Sequence, residues 1–281
     1  MPSQGTELRP ILRLLDDDNP TVRAAVKEKL ASFGEDLRAL LESEVQDADL
    51  DLRERAVQLQ REYRQEDFLR QWLHFVTGLD RCEDLEKGLV LLAGYLDSSG
   101  SEVQIPKELD ELAEGFLEES LFPEFRNLAN YLFSSAMFTG DTERYYHPDN
   151  SNLKRVLYRK KGNPISLACV FILVGKRLEL DVGGCNYPAH FLARATCARS
   201  GELFLVDCFN DGRVISAKDL ILYHPLADQE VHQVVSQPAT TRAILSRVLR
   251  NLENSFRQNN LGTEEQFAAK LQTALFSHND R

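Results

Sequence analysis

Proton exchange near neutral pH is the ordinary business of histidine. The sequence holds six, at positions 74, 147, 190, 224, 232 and 278. Five sit in helical or loop surroundings with no carboxylate at a useful spacing. His190 opens an alternating segment, His190-Phe-Leu-Ala-Arg-Ala-Thr196, and Asp207 lies near the end of the next, Leu203-Phe-Leu-Val-Asp-Cys208, with a turn at Ala198-Arg-Ser-Gly201 between them. Opposed positions of an antiparallel hairpin have a constant sum, and this turn sets it at about 397 to 399. The lower value puts His190 opposite Asp207; the upper makes them diagonal neighbours on one face. An even sum would place them on opposite faces. A carboxylate beside an imidazole fixes its tautomer and steadies its charged form, which is the orienting half of a catalytic triad. The alternative is a strand-edge histidine satisfied by an aspartate for structural reasons.

A nucleophile is harder to name. Ser166 stands near the start of an apolar helical segment, as a serine nucleophile or as a small residue bonding backbone donors. The five cysteines, at 82, 169, 185, 197 and 208, are odd in number, widely spaced and without a CxxC. That pattern signals neither a disulfide framework nor a zinc knuckle. Cys169, among Val170, Ile172 and Leu173, reads as reduced core packing, as do Cys185, Cys197 and Cys208 in a strand-rich stretch. Cys185 could also approach His190 from the strand side. A metal set of His190 and Asp207 with Cys185 or Cys208 is a further alternative, but ligand spacing argues against any stoichiometric metal. HExxH, Walker A, GxGxxG, GxSxG and EF-hand patterns are missing, and no cofactor is expected. Asp16-Asp17-Asp18 lacks the glycine and closing glutamate of a calcium loop and suits helix capping.

Composition narrows the class. The 281 residues contain 43% hydrophobic and 27% charged residues, which fits a globular protein and excludes global disorder. Lys plus Arg is 33 against 44 for Asp plus Glu, a net charge of −11. A phosphate-coating surface wants the opposite sign, so nucleic acid is not an expected partner. No apolar run approaches a membrane span, and the first ten residues lack the apolar core of a signal peptide. A cytoplasmic protein away from the membrane is the expectation.

The elements that must position these residues fall in a recognisable order. Residues 1–140 read as helices. Leu8, Ile11, Leu12, Leu14 and Leu15 share a face, Asn19-Pro20 supplies a cap and a first helical residue, and Val22, Val26 and Leu30 line the next helix. Val22-Arg23 and Val26 return, thirty residues on, as Leu52-Arg53 and Ala56, a period that suggests a HEAT-like helical hairpin repeat. A helical block over 66–95, a break at Ser98–Ser101, and helices over 106–120 and 123–137 follow. Asn163-Pro164 then opens a helix whose residues from Ile165 to Leu178 are apolar on nearly every side, the pattern of a buried element. Strands come after Gly183-Gly184, with a tight turn at Asn210–Arg213, and helices return over 217–223, 240–258 and 263–277. The order is α+β. Boundaries are expected as 1–64 (helical, HEAT-like), 65–140 (helical lead-in), 141–235 (core) and 236–281 (C-terminal helices).

These residues carry a resemblance. Tyr145-Tyr146-x-Pro148, Asn152-Leu153-x-x-Val156-Leu157, Arg159-x-x-Gly162-x-Pro164-Ile165-Ser166-Leu167, Tyr187-Pro188-Ala189-His190-Phe191-Leu192 and Asp207-x-Phe209-x-x-Gly212 occur in this order. Upstream, Asp84-Leu85-x-x-Gly88-x-x-x-Leu92-Ala93 and Leu109-Asp110-x-Leu112-Ala113 extend it. The chain from roughly 65 to 255 thereby resembles the transglutaminase-like superfamily, in particular its bacterial branch of regulator-like proteins, whose core recurs in an F-box protein. The resemblance implies a papain/transglutaminase-like core, a buried central helix packed on a small antiparallel sheet. It also implies chemistry in which a Cys thiolate on the first turn of that helix attacks a carboxamide or peptide bond, with His and Asp in support. His190 and Asp207 match the last two. Pro164 stands where the Cys belongs, with Ser166 two residues on.

Two functions follow. One is a module that keeps the scaffold and the His–Asp pair, has lost the thiol, and binds a protein or peptide. The other is an acyl-transfer or hydrolytic enzyme that uses Ser166 or another nucleophile.

Overall fold

The computed structural model describes residues 10–14, 17–31, 50–79, 84–97, 104–120, 122–188, 190–223 and 229–277. The chain divides into two compact units, Met1–Gln71 and Trp72–Arg281. In the first, a helical turn over 10–13 is followed by α1 (Pro20–Ala31), whose Asn19 side chain accepts from the Thr21 N–H at 2.9 Å. Leu12, Val26, Leu30, Ala56, Leu59 and Phe68 are buried among its described residues. Residues 32–49, including Gly34, lie outside the described residues, so the repeat reading rests on sequence alone.

Helix α2 (Leu50–Thr77) runs through the division between the units. The single block expected over 66–95 is therefore two helices, the end of α2 and α3 (Asp84–Leu96). Gly78, a poor helix former, directly follows the first of them. Next come α4 (Ile105–Glu119) and α5 (Phe125–Asn130), which continues as a π-helical turn over Tyr131–Ser135. A two-residue strand β1 (Thr139–Gly140) pairs in parallel with β2 (Lys161–Gly162), and a 3-10 turn (Pro148–Ser151) and α6 (Leu153–Arg159) lie between them.

Helix α7 (Pro164–Arg177) is the centre of the second unit. Every residue from Pro164 to Gly175 is buried. Strands β3 (Val182–Cys185), β4 (Leu192–Thr196) and β5 (Leu203–Asp207) touch one side of it, and α4, α5 and α6 touch others, which is why its sequence has no polar face. At its C-terminal end Arg177 reaches Glu86 of α3 and Asp110 of α4, a cation placed where the helix dipole favours it. The sheet is antiparallel in the order β3-β4-β5-β6, with β6 at Arg213–Ser216. Gly183-Gly184, expected to precede the strands, lies inside β3, and the turn at Asn210–Arg213 leads directly into β6. After α8 (Ala217–Tyr223) and α9 (Gln229–Ser236), helices α10 (Thr241–Gln258) and α11 (Gly262–Phe276) pack on one another, and α10 also packs on α3 and α7. No helix among the described residues is long and apolar enough to cross a membrane. The result is an α+β fold, a buried helix on a small antiparallel sheet with helices before and after.

Candidate functional site

The hairpin sets the first half of the site. Ala193 opposes Val206 and Thr196 opposes Leu203, a constant sum of 399. His190 precedes the paired residues, in a bend ahead of β4, so the strand begins two residues later than its sequence pattern implied. Its Nε2 lies 2.8 Å from Oδ1 of Asp207, the last residue of β5. The histidine side chain is 31% exposed and the aspartate 12%. Asp207 also accepts from the backbone N–H of Asn210 at 3.2 Å and from Asn210 Nδ2 at 2.8 Å. Burial pushes its carboxyl up, but the hydrogen bonds from His190 and Asn210 outweigh burial and hold it below the usual carboxylate range. Gly212 completes the turn at φ +69°, and a Cβ there would collide with the Phe133 ring, so only glycine serves.

Asp207 occupies one ring nitrogen of His190, and Nδ1 makes no hydrogen bond among the described residues. An aromatic shelf adjoins the imidazole. Phe209 meets it edge-on at 6.5 Å between centroids, Tyr145 meets Phe209 at 5.8 Å, and Tyr146 meets Tyr145 at 5.1 Å. Tyr145 and Tyr146 are both exposed.

The start of α7 is the second half. Asn163 is the N-cap and Pro164 the first helical residue, where proline's missing N–H costs nothing. Ser166 is the third residue of a capping box. Its N–H donates to Asn163 Oδ1 and its hydroxyl oxygen accepts from the Asn163 N–H, both at 3.0 Å. The same hydroxyl donates to the carbonyl of Asn150 at 2.6 Å. A Cβ on Gly162 would stand 2.6 Å from Ser166 Oγ, so the neighbouring backbone is pressed against it. Asn163 Nδ2 donates to Ser151 Oγ at 2.7 Å. Asn150 uses its amide to hold the carbonyls of Arg144 and Tyr145, and accepts from Arg159, which also grips Asp141 at 2.6 Å. Burial raises the Asp141 carboxyl, but the Arg144 N–H and the Arg159 guanidinium more than offset this and keep it low. The structure thus brings His190 and Asp207 together, whereas Ser166 bonds Asn150 and Asn163.

Cys169, Cys185 and Cys208 are buried. Burial pushes the Cys169 thiol up to about 12 and Cys185 up to about 11, and Cys208 is also raised. Burial thus disfavours the thiolate form at each of the three. Cys197, half-buried, follows the far end of β4 from His190, and the Ser200 hydroxyl lowers its thiol. Cys82 lies outside the described residues. Among the described residues no three His, Cys, Asp or Glu side chains converge as a metal ion would require. The Tyr187–Pro188 peptide is trans.

Sequence reasoning missed Asn150, Asp141, Arg159 and Asn210. Asn210 had a local signal, since an Asn in a turn after a strand-ending Asp commonly bonds back to it. Asn150 and Asp141 had none, because their partners come from separate segments.

A buried helix beginning beside a β1–β2 pair, and a hairpin that pairs His with Asp, define a papain/transglutaminase-like architecture. The family model described as the transglutaminase-like superfamily matches residues 103–250, more than half of the chain, and the chain belongs to that superfamily. Among curated relatives, a UPF0162 protein of Xylella fastidiosa (strain 9a5c) is 33% identical over 190 residues, 64% of this chain and 62% of that one. F-box only protein 21 of Mus musculus is 26% identical over 143 residues, 48% of this chain and 22% of that one. The match therefore spans less than two thirds of either relative. No solved structure matches.

Proposed function

We propose that this chain is a transglutaminase-like module that binds a protein or peptide segment along the shelf beside His190 and Asp207, without acyl transfer. The observation that carries this reading is the state of Ser166: its hydroxyl proton is given to the Asn150 carbonyl and its oxygen accepts from Asn163. Attack by Ser166 would require breaking its 2.6 Å hydrogen bond to the Asn150 carbonyl and giving up its place in the buried capping box. Pro164, at the expected nucleophile position, has no side-chain group to offer. The exposed Tyr145 and Tyr146 beside Phe209 supply rigid amphipathic area of the kind interfaces favour. A regulatory role through binding, in a cytoplasmic setting, accords with these features.

The alternative, an acyl-transfer or hydrolytic enzyme, draws support from the 2.8 Å His190–Asp207 contact and the open ring nitrogen. Turnover separates the two. A glutamine-containing peptide is incubated with a labelled primary amine, and both amine incorporation and ammonia release are followed. The binding reading expects neither above a protein-free blank. Release that disappears in His190→Ala would overturn it in favour of the enzyme.

A further inference from the structure

Several cations of this acidic chain have carboxylate partners in the fold. Arg159 holds Asp141, Arg177 holds Glu86 and Asp110, and Arg257 of α10 holds Glu253 and Glu265. The N-terminal half of α10 is different. Arg242, Arg247 and Arg250 line one cleft of about 230 Å³, together with Asn186, Ser246 and Phe276. None of the three arginines has a carboxylate partner among the described residues. Nη1 of Arg242 is shut off from solvent and has no hydrogen-bond partner among the described residues. Burial, and then the neighbouring charge of Arg250, pushes the Arg247 guanidinium down. The cleft thus holds like charges close together, an arrangement that an anion relieves.

We propose that this cleft binds a phosphoryl group, separate from the His190–Asp207 pair and independent of whether that pair is catalytic. Two features of the cleft favour a phosphoryl dianion over a carboxylate. Three guanidinium forks offer more donors and more charge than one carboxylate can match, whereas a phosphate presents several acceptor oxygens and about two negative charges. The volume accommodates the group with a few attached atoms, and the Phe276 ring gives those atoms an apolar wall. Thr240, the N-cap of α10, also lines the cleft, so the positive end of an 18-residue helix adds to the field.

The test is titration calorimetry on the full chain at constant ionic strength, with inorganic phosphate as probe and acetate and chloride as controls. Phosphate is expected to bind once per chain and saturably, while acetate and chloride produce no saturable heat. Arg250→Gln, an exposed position whose substitution leaves the fold intact, is expected to weaken phosphate about tenfold or more, the loss of one charge-assisted contact. Arg242→Gln is expected to do the same or worse, and His190→Ala to leave phosphate binding unchanged. Phosphoserine and ribose 5-phosphate serve as separate arms, and the tighter of them names a protein side chain or a metabolite as the source of the group. Equal heats for phosphate and acetate, or phosphate binding unaltered in both arginine variants, would overturn the site.

Discussion

The start of α7 and the open end of the β4–β5 hairpin, opposite its turn, hold the residues that a hydrolytic triad would use, and they are built on opposite rules. At the helix start every polar group is buried and answered: Asn150, Ser151, Asn163 and Ser166 are each at most 4% exposed and bond to one another. At the hairpin the pair is half-open, Asp207 accepts from three donors, and Nδ1 of His190 makes no hydrogen bond among the described residues. The Ser166 hydroxyl proton is already given to the Asn150 carbonyl. A fold can therefore keep the geometry of a catalytic pair while its capping network ties up the hydroxyl that would serve it.

Breaking the helix-start network should be the most damaging. Arg159→Ala strips the 2%-exposed Asp141 of its 2.6 Å partner and is expected to cost about 3–5 kcal/mol in urea unfolding. A cost below about 1 kcal/mol would show that this region is not the rigid half. Ser166→Ala deletes both hydroxyl contacts and leaves the Asn163 N–H and the Asn150 carbonyl only their 3.3 Å bond to each other, and should cost about 1–3 kcal/mol. His190→Ala should cost less, about 0.5–1.5 kcal/mol, because Asp207 keeps both contacts from Asn210. A larger loss than in Ser166→Ala would reverse the comparison.

The smallest effect is a pH dependence. The folded-state Asp207 carboxyl is depressed, so its contribution is fully present above the unfolded value of about 3.9 and is lost as pH falls through the lower folded value. The stability difference between the wild type and Asp207→Asn, measured by denaturant melts from neutral pH downward, should be constant above about pH 5 and shrink below about pH 4. A difference that grows on acidification would contradict the hydrogen-bonded carboxylate.

The hairpin was readable because its information is local. Short, mostly apolar runs from Leu192 to Ala195 and from Leu203 to Val206, around the turn at Ser200-Gly201, set the register, and the register sets the face. The central helix was readable from its all-apolar surface, with Asn163-Pro164 marking its start. The network around Ser166 was only half readable. Its capping box is a local pattern, but the Asn150 carbonyl that takes the hydroxyl proton comes from a 3-10 turn before α6, and no spacing rule links the two. The β1–β2 pair was invisible for a related reason: two residues carry no periodicity, and a parallel partner lies across a crossover. The helix block over 66–95 failed because Gly78 and the break after it were outweighed by continuous apolar spacing.

The central claim of the proposed function is that His190 serves no nucleophile among the described residues. Stopped-flow acylation with a p-nitrophenyl ester measures it most directly, with intact mass taken at the end of the first turnover. The account predicts no burst of nitrophenolate, an unmodified mass, and traces that superimpose for the wild type, His190→Ala and Ser166→Ala. A burst of one equivalent with one acyl group on Ser166, absent in both variants, would contradict it.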